Sequence, residues 1–160
     1  MKQILLAFMT MLLFIPAACA QEKDQTLPAA PYTEPLIIMS DNGKTTHTFY
    51  VEIADTPQLV IKGLMNREYM PDMAGMLFSF ALEKERHFWM KNTLIPLDML
   101  FVKADGTIHH IHENAIPHDE TSISSNGPVL NVLELNGGMS RKLGIKPGDV
   151  VHHYVFDNAL

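Results

Sequence analysis

Between Thr45 and Ala54 polar and apolar residues alternate, with His47, Phe49, Val51 and Ile53 on one side and Thr46, Thr48, Tyr50 and Glu52 on the other. A period of two is the mark of a half-buried strand. Other segments of strand length follow down the chain, each closed by turn residues. Leu36 to Met39 and the Asp41-Asn42-Gly43 turn form a hairpin with the alternating run, because Asn-Gly supplies the positive φ of a tight turn. Thr56-Pro57 and Gly63 bracket one short helix as its N-cap, first residue and stop. Met76 to Phe80, His87 to Met90 and Leu97 to Val102 read as strands, and Asp105-Gly106 turns the last into Thr107 to Ile116. There the alternation slips, since Ile108 and Ile111 are three apart, and a bulge near His109 and His110 repairs it. Pro117 to Gly127 reads as a loop and Val129 to Leu135 as a strand. Met139 to Leu143 is one helical turn stopped by Gly144, and Val150 to Phe156 is the final strand. Helices this few cannot cover a parallel sheet, so the expectation is a mainly β, antiparallel sandwich or barrel with one or two short helices.

The first 35 residues stand apart. Lys2, an apolar run from Ile4 to Ile15, Pro16 and Ala18-Cys19-Ala20 before Gln21 have the layout of a secretory signal over residues 1–20. The run is shorter than the ~20 residues of a membrane span. Residues 21–35, with Pro28, Pro31 and Pro35, suit an extended leader, which leaves 36–160 as a single domain. Export to the periplasm is the expectation. The alternative is a lipid anchor on Cys19, for which Ala17-Ala18-Cys19 partly fits, and membrane attachment is expected only in that case. Cys19 is the only cysteine, so no intrachain disulfide can form. The formal charge is −6, with 12 basic and 18 acidic side chains, and losing Lys2 with the signal makes it −7. That balance offers no basic footprint for a phosphate backbone, and nucleic acid is excluded as the expected partner.

Several stretches carry a resemblance. Gly63-Leu64-Met65-Asn66-Arg67, Gly75-Met76-Leu77-Phe78, the run FWMKNTLIPLD from Phe88 to Asp98, Leu133-Glu134-Leu135 and Gly144-Ile145-Lys146-Pro147-Gly148-Asp149 occur in this order. Together they resemble the family known as domain of unknown function 192, small and mostly exported bacterial proteins with archaeal relatives. The resemblance implies a mainly β fold of jelly-roll or barrel type and no established activity.

The functional reading therefore rests on side-chain chemistry. Arg67, Lys91, Asn92, Asp98 and Glu134, with Trp89 as an apolar wall, are the expected ligand-binding set around one polar mouth. Arg67 and Lys91 would hold a carboxylate or phosphate, Asn92 and Asp98 would take hydroxyls, and Trp89 would stack on a ring. Competing structural roles are equally concrete: Asn92 and Thr93 as turn locks, and Arg67 in an ion pair with Glu134 or Asp98. The leading expectation is a monomeric, non-catalytic binding module, without a cofactor, for a small polar, anionic or saccharide-like ligand or an envelope partner. One alternative is an enzyme acting on envelope saccharide through Asp98 and Glu134, if the two carboxyls lie ~5 to 9 Å apart. A second alternative is a copper-binding protein using Met65, Met70, Met73, Met76 and Met90 with His110 and His112. Against it, methionines inside apolar segments serve most economically as core filler and the histidines lack a ligand spacing, so no metal site is assigned.

Overall fold

The computed structural model describes residues 31–160. The expected signal, Cys19 and residues 21–30 of the leader lie outside the described residues. Strands β1 (Glu34–Ser40) and β2 (Thr45–Ala54) form the expected hairpin, paired from Ser40 with Thr45 to Glu34 with Val51. At its turn Asp41, Asn42 and Gly43 have φ of 52°, 57° and 83°, the left-handed geometry that Asp, Asn and Gly tolerate best. The domain begins earlier than its proline content suggests, because Tyr32 is buried in the core and Pro35 lies within β1. Proline is accepted there because the neighbour on the other side, β7 (Val150–His152), pairs only with Ile37 to Met39.

Helix α1 (Pro57–Lys62) starts on Thr56, whose Oγ1 accepts from the Leu59 N–H at 3.3 Å, and stops at Gly63. It belongs to a crossover, residues 55–73, that carries the chain from β2 to β3 (Ala74–Phe88), and these two strands pair in parallel. The all-antiparallel expectation is corrected here: parallel neighbours cannot be joined by a tight turn, and α1 with its flanking loops makes the long connection they require. β3 also joins the strand expected at 76–80 to the start of the one expected at 87–90, bridging the charged residues between them through two register shifts, while Trp89 and Met90 fall beyond its end.

β4 (Leu97–Val102) and β5 (Ile108–Ala115) form the next hairpin, and the bulge is where the alternation placed it. Val102 faces Ile108 and Phe101 faces His110, so His109 is the extra residue and Ile108 and Ile111 pack on one cluster. β6 (Ile123–Asn136) begins inside the stretch expected as a loop, and α2 (Met139–Leu143) follows, closed by Gly144. After β7 the chain leaves the sheet for a single 3-10 turn at Tyr154–Phe156, shortening the expected last strand.

All seven strands belong to one curled mixed sheet in the order β5-β4-β6-β3-β2-β1-β7, a half-barrel and not two stacked sheets. A bridge between Thr107 and Val150 draws its outer edges together. Leu36, Phe49, Leu77, Leu100, Ile108, Leu133 and Val151 come from the seven strands and form the enclosed cluster. A second cluster, including Leu64, Met70, Met76, Phe78, Met90, Met99, Phe101 and Val132, lies on the opposite face of β3, β6 and β4 and is covered by the crossover and the 89–96 loop.

Asp98 joins these parts on the enclosed face. It is fully buried, and its Oδ1 accepts from the Asn114 and Gly138 N–H groups at 2.9 and 2.8 Å while Oδ2 accepts from Ser140 N–H at 2.8 Å. One carboxylate thereby satisfies donors at the start of α2 and at the positive-φ Asn114 in β5. Asp98→Ala leaves three such donors unpaired at about 1–3 kcal/mol each, less what relaxation recovers. Urea denaturation is expected to show a loss of roughly 3–5 kcal/mol for Asp98→Ala, with Asp98→Asn intermediate because its amide presents a donor to one of the N–H groups. A loss below about 1 kcal/mol would contradict this role.

Candidate functional site

The outer face of β3 carries a cleft of about 490 Å³ whose residues come from α1, the turn after it, β3, the start of the 89–96 loop and β6. Gly63 makes one wall possible. Its φ is +46°, and a Cβ there would stand 3.3 Å from the Phe78 ring, so a glycine both ends α1 and lets the turn lie against Phe78. Val60 and Leu64 form this wall, Phe78 and Phe80 the base, and Phe88 and Trp89 the opposite wall. Phe78 and Phe88 meet edge to face with centroids 5.2 Å apart, the arrangement favoured by ring quadrupoles. Trp89 is 50% exposed and offers its indole to whatever enters.

Glu134 lies at the floor. On β6 it pairs with Met76 of β3 and Met99 of β4, facing out of the sheet while Leu133 and Leu135 face the enclosed core. Gly75 permits this close strand approach: a Cβ there would stand 2.7 Å from the Glu134 carbonyl oxygen. Asn136 steadies the end of the strand by donating to the Met70 and Pro71 carbonyls at 3.0 and 2.9 Å. Glu134 is 4% exposed, and burial alone pushes its carboxyl up to about 8. Thioethers and aromatic carbon around it supply no compensating hydrogen bond, so the neutral acid is the favoured form at pH 7.

The rim is cationic, with Lys62, Lys84 and Arg86 against Glu85. Arg86 lies over the Phe80 ring, 3.8 Å from its centroid, and its Nη2 donates to the Leu82 carbonyl. Its buried Nε has no partner, and among the described residues no carboxylate pairs with it. Burial lowers its pKa, as desolvation does for any cation.

Of the six residues expected at one mouth, only Trp89 and Glu134 line the cleft. Arg67 forms a two-pronged ion pair with Glu52 and also donates to Tyr32, a partner different from the Glu134 or Asp98 that the sequence suggested. Glu52 belongs to the polar phase of β2 and thus faces the crossover that carries Arg67. Lys91 lies 5.2 Å from the Trp89 ring and 3.5 Å from Glu120, outside the cleft lining. Asn92 has φ +54° and its carbonyl accepts from Asn66 N–H at 2.8 Å, a turn lock. Asp98 and Glu134 point to opposite faces of the sheet, since Asp98 pairs with Leu135 and Glu134 with Met99. No substrate can lie between them, which removes the carboxylate pairing that the saccharide-enzyme alternative required. For the copper alternative, Met70, Met76 and Met90 are buried in the outer cluster and His110 stacks on Phe101. Among the described residues no three His, Cys, Asp or Glu side chains are grouped to hold a metal ion.

Arg86, Phe80 and Phe78 are the residues that sequence reasoning missed. Phe78 and Phe80 alternate along a strand, but the direction of Arg86 follows from the register shifts of β3, which leave no local trace.

The carboxyl at the floor makes stability depend on pH. Its folded pKa is raised above the usual 4.5 to about 8, so the folded state binds more protons between those values. Stability is greatest below the unfolded pKa and is lost as pH rises through the folded one, by up to about 1.4 kcal/mol per pH unit. Urea titrations from pH 5 to 9 are expected to show this decline in the parent and a flatter profile in Glu134→Gln. Identical profiles would contradict a buried, unpaired acid.

The fold is shared with known structures. A protein from Sinorhizobium meliloti 1021, solved at 1.55 Å and described as a candidate transcription regulator, is 46% identical with a TM-score of 0.74 over 76% of this chain and 94% of its own. A protein of unknown function from Novosphingobium aromaticivorans DSM 12444, solved at 1.22 Å, is 44% identical with a TM-score of 0.70 over 74% of this chain and 83% of its own. No curated protein matches the chain. The family described as "Uncharacterized ACR, COG1430" matches residues 37–153, and with that span and these identities the chain belongs to this family, DUF192.

Proposed function

We propose that this chain is a non-catalytic binding module whose cleft between α1 and β3 takes a small molecule with an apolar, ring-like body and an anionic group. The observation that supports this reading is that Arg86 and Glu134 line the same aromatic cleft and neither has an opposite charge paired with it among the described residues. The Arg86 Nε is buried without a partner; such groups cost stability, and ligand sites are where proteins retain them. The anionic group belongs beside Arg86, Lys62 and Lys84, and the ring between Trp89 and the Phe78–Phe80 base.

Export through residues 1–20, ending in the periplasm or at a membrane through Cys19, belongs to the same reading and rests on the sequence layout alone. A regulator acting directly on DNA is disfavoured by the formal charge of −6 and by α-helices of only six and five residues among the described residues.

The single tryptophan, Trp89, is a built-in reporter. Titration with 3-phenylpropanoate is expected to change its fluorescence saturably, and Arg86→Leu to weaken that binding about tenfold, the value of one charge-assisted hydrogen bond. Absence of saturation, or equal affinity in Arg86→Leu, would overturn the reading.

A further inference from the structure

Arg86 and Glu134 occupy one cleft without neutralising each other. Their spacing explains why. Met76, Phe78 and Phe80 follow along one face of β3, with Glu134 beside Met76 and Arg86 over Phe80. At about 3.3 Å per residue the two levels are roughly 13 Å apart along the strand, with aromatic surface between them.

We propose that the ligand is a zwitterion with an apolar middle, holding a protonated amine at Glu134 and its anionic group at Arg86. The inference rests on reading the cleft as a binding site and names what enters its floor. The Glu134 carboxyl is buried, faces the cleft and receives no hydrogen bond from a described residue. Its strand neighbours are Met76 and Met99, and the nearby base is the Phe78 ring. Thr93, the one hydroxyl residue lining the cleft, directs its Oγ1 to the Lys91 carbonyl at 3.4 Å. A group that fills this floor must therefore bring its own donors, and an ammonium brings three together with the charge a carboxylate lacks. Aromatic faces accept cations, as the protein's own Arg86 over Phe80 and Lys91 near Trp89 illustrate. A simple amine is disfavoured at the cationic rim, so the anionic end is what admits the molecule.

Other charged groups around the floor are accounted for. On β2 Glu52 is held by Arg67; on β5 His112 lies beyond Met99; Lys62 of α1 and Lys84, Glu85, Arg86 and His87 of β3 line the cleft. With the carboxyl pushed up to about 8, entry of an ammonium sends the Glu134 proton to solvent, and affinity rises with pH until that value is reached.

The test uses three carboxylates that differ only at the para position: 3-[4-(aminomethyl)phenyl]propanoate, 3-(4-methylphenyl)propanoate and 3-(4-carbamoylphenyl)propanoate. Dissociation constants are measured on the full chain by calorimetry at pH 6, 7 and 8. The amine is expected to bind at least tenfold more tightly than the methyl compound at pH 8, with the advantage shrinking several-fold per unit towards pH 6. Glu134→Gln is expected to abolish the advantage of the amine over the methyl compound. Equal affinity of the three at pH 8, or an advantage that survives Glu134→Gln, overturns the inference but not the binding site. Failure of all three to bind overturns both. The pH series on the parent protein decides the matter even where the variant does not fold.

Discussion

The parallel pairing of β2 with β3 is the constraint on which the rest of the molecule depends. Two parallel neighbours need a long connection, and residues 55–73 provide it, lying across the outer face of the sheet. Without that crossover the outer face of β3, β6 and β4 would keep only part of its cover, from the 89–96 loop and Tyr32. With it, that face becomes a second apolar cluster, and the edge where α1 fails to reach the far half of β3 becomes the cleft. The Arg67–Glu52 pair and the Asn136 bonds to Met70 and Pro71 tie the crossover down at separate points. Residues with the polarity of a ligand site thus serve to hold the wall of one.

Two acidic residues show how strand alternation separates structure from function. Asp98 and Glu134 belong to adjacent strands, one step apart in register. The step sends one inward, where backbone N–H groups take up its charge, and the other outward, where nothing does. Both are buried, but Asp98 is held by three backbone N–H groups, whereas burial pushes the Glu134 carboxyl up to about 8. A group whose burial is uncompensated is a liability in a scaffold and an asset in a binding site.

Much of the fold was legible because it is written locally. The Asn42-Gly43 turn, the Thr56-Pro57 start of α1, Gly63 and Gly144 as stops, and the bulge at His109 all follow from residues within a few positions of one another. The parallel pairing was hidden, since α1 is only six residues long and does not announce a crossover. The candidate site was legible in part: Trp89 and Glu134 belong to it, whereas Arg67, Lys91, Asn92 and Asp98 are drawn off by partners elsewhere in the fold. Arg86 escaped notice because its neighbours Glu83, Lys84 and Glu85 read as the charged border of a strand. It is the irregular pairing of β3 that turns this border into the rim of the cleft.

On this reading the cleft holds an acid with no partner of its own among the described residues. Carbon-13 NMR titration of the Glu134 side-chain carboxyl, assigned by its loss in Glu134→Gln, tests this directly in the unliganded protein. A midpoint near the value of about 8 set by burial is the predicted result. A midpoint near the ordinary 4.5 would mean that water or a partner already satisfies the carboxyl, and would contradict an unpartnered acid in the cleft.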